Sequence, residues 1–154
     1  MTVAIVMLAI ACSGGPRPIA YGRADCTYCR MRIDDPRFGG EIVSAHGKVL
    51  QFDAVECMAS YYRALPDRGS ATSLWVADFD HPGTLLPVAS AQFVRITGGT
   101  AKGSPMGGLL AVRSGSDVRP LRAQLGDLTT MTWNEVVADT THAAATHGEA
   151  GGVR

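Results

Sequence analysis

The sequence predicts an α+β fold of two small halves, each a strand hairpin followed by a helix. Three observations predict it. Glu41-Ile-Val-Ser-Ala45, the turn pair His46-Gly47 and Lys48-Val-Leu-Gln-Phe52 read as a hairpin. Directly after it, Asp53 and Glu56 stand at capping-box spacing in front of a helix over 54–64. The same order then recurs faintly. Met31, a Gly-Gly pair, Glu-Ile-Val-Ser, a turn, a strand and Asp-x-x-Glu opening a helix correspond to Met106, a Gly-Gly pair, Leu-Leu-Ala-Val, a longer insertion, a strand and Thr-x-x-Glu opening a helix. An approximate twofold between the halves would put Met31 and Met106 in equivalent places, facing each other across the junction.

The elements follow in order. Residues 2–11 are an uninterrupted apolar run, too short for a permanent bilayer span and of the length of a signal-peptide core, although no Lys or Arg precedes it. Ala9-Ile10-Ala11-Cys12 is similar to a bacterial lipobox, and cleavage there leaves Cys12 lipidated outside the cytoplasm. Residues 12–24, rich in Gly and Pro, read as a tether. In the 54–64 helix, Val55, Met58, Ala59 and Tyr62 form the buried stripe, and Cys57 falls off it. After the break at 65–70, a strand is expected over 74–79, a short helix over 88–91 behind Pro87, and strands over 93–96 and 109–112. Ser116 is read as the cap of a helix ending at Leu125, with Pro120 in its first turn and Gly126 at its end. A strand over 128–131 precedes a last helix opened by a Thr132–Glu135 capping box, with Trp133, Val136 and Val137 on its apolar side. The expected organisation is thus a signal peptide at 1–11, a lipidated tether at 12–24, a folded part at 25–139 with halves at 25–66 and 67–139, and a disordered tail at 140–154. His142 and His147 in that tail read as solvated.

Totals exclude some partners. With 14 basic and 14 acidic residues and 6% aromatic content, nothing argues for a nucleic-acid surface. At 154 residues the chain can bury a stable interior without metal or disulfides. No Ser-His-Asp pattern, nucleotide loop or paired-carboxylate motif is discernible, so the chain does not read as an enzyme of those kinds.

The chemistry-bearing stretch is Asp25-Cys26-Thr-Tyr-Cys29-Arg-Met31. Two thiols two residues apart close on one ion, and a thioether two residues further on adds a third soft donor, a set suited to Cu(I) or Zn(II) rather than Mg(II) or Ca(II). A second thioether, Met106, lies in the Gly103-Ser-Pro-Met-Gly-Gly108 loop, and the expectation is that the fold brings it over the thiols. A thioredoxin-type redox pair would begin an amphipathic helix, whereas Arg30-Met-Arg-Ile-Asp-Asp-Pro36 is too polar and soon broken by proline. A structural zinc site would want a second Cys or His pair, and Cys57 with His46 or His81 is a poor substitute. A structural disulfide stays open, with Cys57 as a third thiol.

These residues resemble the NosL family of copper-binding lipoproteins that accompany nitrous oxide reductase. The resemblance runs through Cys12, Cys26-Thr-Tyr-Cys29-Arg-Met31, Phe52-Asp-Ala-Val-Glu-Cys57-Met58, Val76-Ala-Asp-Phe79, Ser104-Pro-Met106-Gly107 and Trp133-Asn-Glu-Val136. The family pattern usually has Gly where this chain has Arg30. The resemblance implies a fold similar to the organomercury lyase domain and Cu(I) ligands among Cys26, Cys29, Met31 and Met106, with Cys57 and Met58 as possible secondary donors. It also implies copper exchange with an ABC-type copper maturation complex that serves the reductase. The leading reading is therefore a membrane-anchored Cu(I) metallochaperone. Its rivals are a thiol-disulfide oxidoreductase using Cys26 and Cys29, and a tethered adaptor whose cysteines are only structural.

Overall fold

The computed structural model describes residues 15–97 and 107–139. The expected hairpin forms: β1 (Gly40–Ser44) pairs antiparallel with β2 (Val49–Phe52), and Gly47, at φ 73°, completes the turn. Helix α1 (Val55–Ala64) follows. Strand β3 (Ala71–Ala77) returns to the other edge of β1, and β4 (Leu85–Pro87), a strand not foreseen from the sequence, pairs with β3. The first sheet is therefore ordered β2-β1-β3-β4. A single 3-10 turn at Val88–Ser90 leads into β5 (Ala91–Ile96), the centre of a second sheet ordered β6-β5-β7, with β6 at Leu109–Arg113 and β7 at Leu128–Met131. Helices α2 (Arg119–Leu125) and α3 (Trp133–Ala138) lie on either side of β7 in the chain.

Several expectations are corrected. The two sheets part between Pro87 and Ala91, later than the 66/67 boundary, because β3 pairs with β1 on one edge and β4 on the other, so both join the first sheet. The echoed segments are paired differently: β1 and β2 are neighbours, whereas β6 and β7 flank β5. The stretch read as a tether belongs to the domain from Arg17 onward. The Arg17 N–H donates to Glu41 at 2.8 Å, Ile19 is buried in the core, and Gly22 N–H donates to the Ile33 carbonyl at 2.9 Å. Helix α2 starts at Arg119, not behind Ser116; the Asp117 carboxylate accepts the Arg119 N–H and pairs with its guanidinium instead. The Thr132–Glu135 capping box forms as read. Cys12, Met106 and the tail with His142 and His147 lie outside the described residues.

Burial explains the apolar runs of the second sheet. Phe93, Leu109 and Ala111 join the cluster built on α1 and the first sheet. Their neighbours Val94, Ile96, Leu110 and Val112 face the opposite way, onto Phe38 and the α2 residue Leu121. Side chains alternate across a strand, so a sheet covered on both faces needs continuous apolar sequence, as in Leu109-Leu-Ala-Val. Arg95 sits in this alternation on the side of Phe93, facing the layer that carries α1. Close approach on the other side of α1 depends on Gly40, where a Cβ would stand 2.9 Å from the Met58 sulfur and against the Trp75 carbonyl.

Candidate metal centre

The Cys-x-x-Cys segment is a tight loop held by its own backbone. Cys26 N–H donates to the Met31 carbonyl at 2.7 Å, Arg30 N–H to the Cys26 carbonyl at 3.0 Å, and Thr27 N–H to Gln51 of β2 at 2.8 Å. Asp25 and Arg32 close its base with a 3.0 Å ion pair. Arg30 turns the chain at φ 68°, the one non-glycine residue with positive φ among the described residues. This pins both cysteines beside the end of β2 and the first turn of α1.

At that end of β2 the chain departs from the expected cap. Ala54, not Asp53, is the N-cap of α1 and no side chain caps the helix. The Asp53 carboxylate turns instead to Cys29, whose thiol donates to it at 3.5 Å. Glu56 likewise accepts the N–H of Leu109 at 3.1 Å rather than closing a box. Cys57, one residue further, points into the same space as Cys26. Donor atoms of Cys26, Cys29, Asp53 and Cys57 all lie within 4.8 Å of one another. All three cysteines are free thiols.

Electrostatics divides the thiols. A hydrogen bond from Cys57 pulls Cys26 down to about 6 against the effect of burial, with help from the backbone N–H groups of Asp53 and Cys29. Cys57 is pushed up, first because it is the donor to Cys26 and then by burial. Burial raises Cys29 to about 11, in spite of the Met31 N–H directed at its sulfur. The cluster thus favours the thiolate at Cys26 and the protonated thiol at Cys29 and Cys57. Tetrahedral metal–sulfur bonds of 2.3 Å set sulfurs about 3.8 Å apart, so the group needs to contract by no more than about 1 Å to close on an ion.

A family model described as NosL matches residues 19–114, more than half of the chain. The chain belongs to the NosL family. Its fold is similar to that of a solved structure, the copper chaperone NosL from Shewanella denitrificans, with a TM-score of 0.59 over 78% of this chain and 96% of that one. Identity to that protein is 17%, so the likeness concerns the fold. No curated protein matches the chain.

In this NosL-family chain the residues singled out from sequence fare differently. Cys26 and Cys29 meet, as their spacing requires. Met31 stands at the rim, 52% exposed. Met58 is wholly buried against Gly40 and the core, a packing residue rather than a rim donor. Cys57, named only as a possible secondary donor, stands in the cluster with Cys26 and Cys29, and Asp53 was missed because its spacing to Glu56 mimics a cap. The signal available was topological: the first turn of a helix entered directly from a core strand is buried on all sides, as Val55, Glu56, Cys57, Met58 and Ala59 are here.

Proposed function

We propose that this protein is a Cu(I) metallochaperone. It acts outside the cytoplasm, anchored to a membrane through a lipid on Cys12, and delivers copper for maturation of a copper enzyme, nitrous oxide reductase, with an ABC-type copper maturation complex as its partner. The observation that carries the metal reading is the convergence of three free thiols from two distant segments, graded from buried Cys26 and Cys57 through half-buried Cys29 to exposed Met31. Such a gradient lets a soft ion pass between donors one at a time, from interior to surface, without unfolding the domain. Family membership and the copper-chaperone neighbour support the same cargo.

Met106 completes the proposed sulfur set. A Cu(I) competition titration tests the proposal. Tight one-to-one binding is expected, weakened by Cys29→Ser and by Met106→Ala. Absence of tight binding, or indifference to both changes, would overturn it.

The lowered Cys26 favours a second reading, a thiol-disulfide oxidoreductase. Exposure runs the wrong way for that chemistry: the thiolate is buried, and the more accessible Cys29 is held protonated. Insulin reduction that survives Met106→Ala would favour the redox reading over the copper one.

A further inference from the structure

The whole chain balances 14 basic against 14 acidic residues, but the metal loop does not share that balance. Residues 22–32 hold Arg23, Arg30 and Arg32 against Asp25 alone, and all three arginines are exposed. Exposed Asp34, two residues past Arg32, does not cancel the excess. Arg32 is the paired one. Its guanidinium meets Asp25 at 3.0 Å and the Gly22 carbonyl at 2.8 Å, which draws the two ends of the loop together and sets Arg23 alongside. Arg23 and Arg30 have no ion pair or side-chain hydrogen bond among the described residues. Between Arg30 and Arg32 in the chain stands Met31, the one exposed large apolar side chain among the described residues. Neither the Met31 thioether nor the Arg30 guanidinium is drawn into the core, and Arg30 sits at φ 68°, where a side chain costs stability. Strained, solvent-facing residues beside a functional site point to a role at that site.

We propose that this face of the loop is a docking surface for a protein partner that carries its own sulfur donor inside an acidic patch. The inference deepens the metallochaperone reading by giving the chemistry of the recipient; its transfer step rests on that reading, its docking step on the charge of the loop. Carboxylates take guanidinium groups in paired hydrogen bonds, and Arg23 and Arg30 have that capacity uncommitted. An acidic rim on the partner therefore settles on the arginines and leaves its sulfur donor against Met31. Transfer is then a ligand exchange: one metal–sulfur bond forms on the partner as one breaks on this chain, and the ion stays Cu(I). Rim charges of this kind act mainly on encounter and on choice of partner. A cationic face also repels a second copy of itself, so loaded and empty chains are kept from exchanging the ion between themselves. Anionic lipid attracts arginines as well, but it offers no sulfur for Met31 to meet.

The test uses the reduced full chain, apo and Cu(I)-loaded, with two probes: a peptide of alternating aspartate and methionine, and the same peptide with serine in place of aspartate. Amide shifts followed by NMR locate and quantify the binding. The aspartate peptide should bind both forms, with shifts centred on residues 23–32, about tenfold more tightly than the serine peptide at low salt. That preference should vanish near 1 M salt, where charges more than about 3 Å apart are screened. Arg23→Ser and Arg30→Gly should each weaken the aspartate peptide about threefold, and Arg30→Lys less. Glycine relieves the loop at position 30, so a loss there is not a folding defect. Equal binding of the two peptides, or shifts centred elsewhere, would overturn the proposal. So would variants that lower Cu(I) affinity in a chelator competition while the peptide preference is intact, since the arginines would then serve the thiolates. Binding to phosphatidylglycerol vesicles and not to phosphatidylcholine ones, without binding of the aspartate peptide, would give the face to the membrane and overturn it too. If the apo chain takes the aspartate peptide as expected while no form holds Cu(I), the copper reading falls and the acidic-partner surface stands.

Discussion

At the scale of single residues, the metal loop is held in a conformation that its sequence resists. Arg30 occupies the left-handed region at φ 68°, which costs an L-residue about 1–2 kcal/mol and glycine almost nothing. Arg30→Gly should therefore raise stability by up to about 1 kcal/mol, after the extra chain entropy of glycine is counted, and Arg30→Val should lower it by about as much. Urea unfolding midpoints of the two variants check this. The second residue-scale expectation concerns Cys57. Its hydrogen bond is the main reason Cys26 lies at about 6, so in Cys57→Ala the Cys26 thiolate should form only nearer the ordinary thiol range, as followed by ultraviolet thiolate absorbance. In the unmodified chain between about pH 6 and 11, Cys26 enters a metal complex already deprotonated while Cys29 must release a proton. Below about pH 6, Cys26 must release one as well, so the plot of log affinity against pH should steepen by about one unit there. Cys26 and Cys29 were legible because their two-residue spacing is itself the geometry. Asp53 was not, and Cys57 stood only as a possible secondary donor, because their place depends on where β2 hands over to α1.

At the scale of elements, α1 is fastened to the second sheet through charge rather than through apolar contact alone. Glu56 accepts the Leu109 N–H, and its second carboxylate oxygen is buried without a hydrogen-bond partner. Glu56, Arg95 and Asp139 line one small cavity of about 10 Å³, across which Arg95 pairs with Asp139 at 2.7 Å. Removing a buried acceptor leaves its donor unsatisfied, so Glu56→Ala should cost about 1–3 kcal/mol, and Glu56→Gln, which keeps an acceptor, clearly less. Burial raises the Glu56 pKa. A carboxyl whose folded pKa lies above its unfolded value contributes stability below the unfolded value and loses it as pH rises through the folded one. Glu56→Gln should therefore compare most favourably with the unmodified chain at the alkaline end of a series of denaturant unfolding curves. The elements themselves were largely readable. Hairpin, helix and the last capping box carry local signals, whereas the same spacing at Asp53 and Glu56 misled because two distant groups, Cys29 and Leu109, compete for those carboxylates.

At the scale of the whole molecule, strand pairing could not be read. Local patterning predicts a strand over 74–79 and one forms over 71–77, but its choice of β1 as neighbour is a long-range decision made by the shared apolar faces, and it moved the division between the sheets past Pro87. That pairing matters for the metal centre, because it packs the first sheet and α1 into one interior with the metal loop. Cys26 and Cys57 are counted in the same hydrophobic cluster as Ile33, Phe52 and Val76. That apolar core extends well beyond the proposed ligands, which join the 26–29 loop, the end of β2 and the first turn of α1. A ligand that binds the folded form alone stabilises it by about 2.7 kcal/mol at a hundred times its Kd. For a chain of this size that corresponds to a rise in Tm of about 10 °C on Cu(I) loading, reversed by a strong Cu(I) chelator. The apo chain should still melt cooperatively, since its core is complete. Scanning calorimetry of apo, loaded and stripped samples, beside a Cys26→Ser and Cys57→Ser double variant, checks both halves of this expectation. An apo chain without a transition would mean that the metal organises the fold, and a double variant with an undiminished shift would place the ion elsewhere.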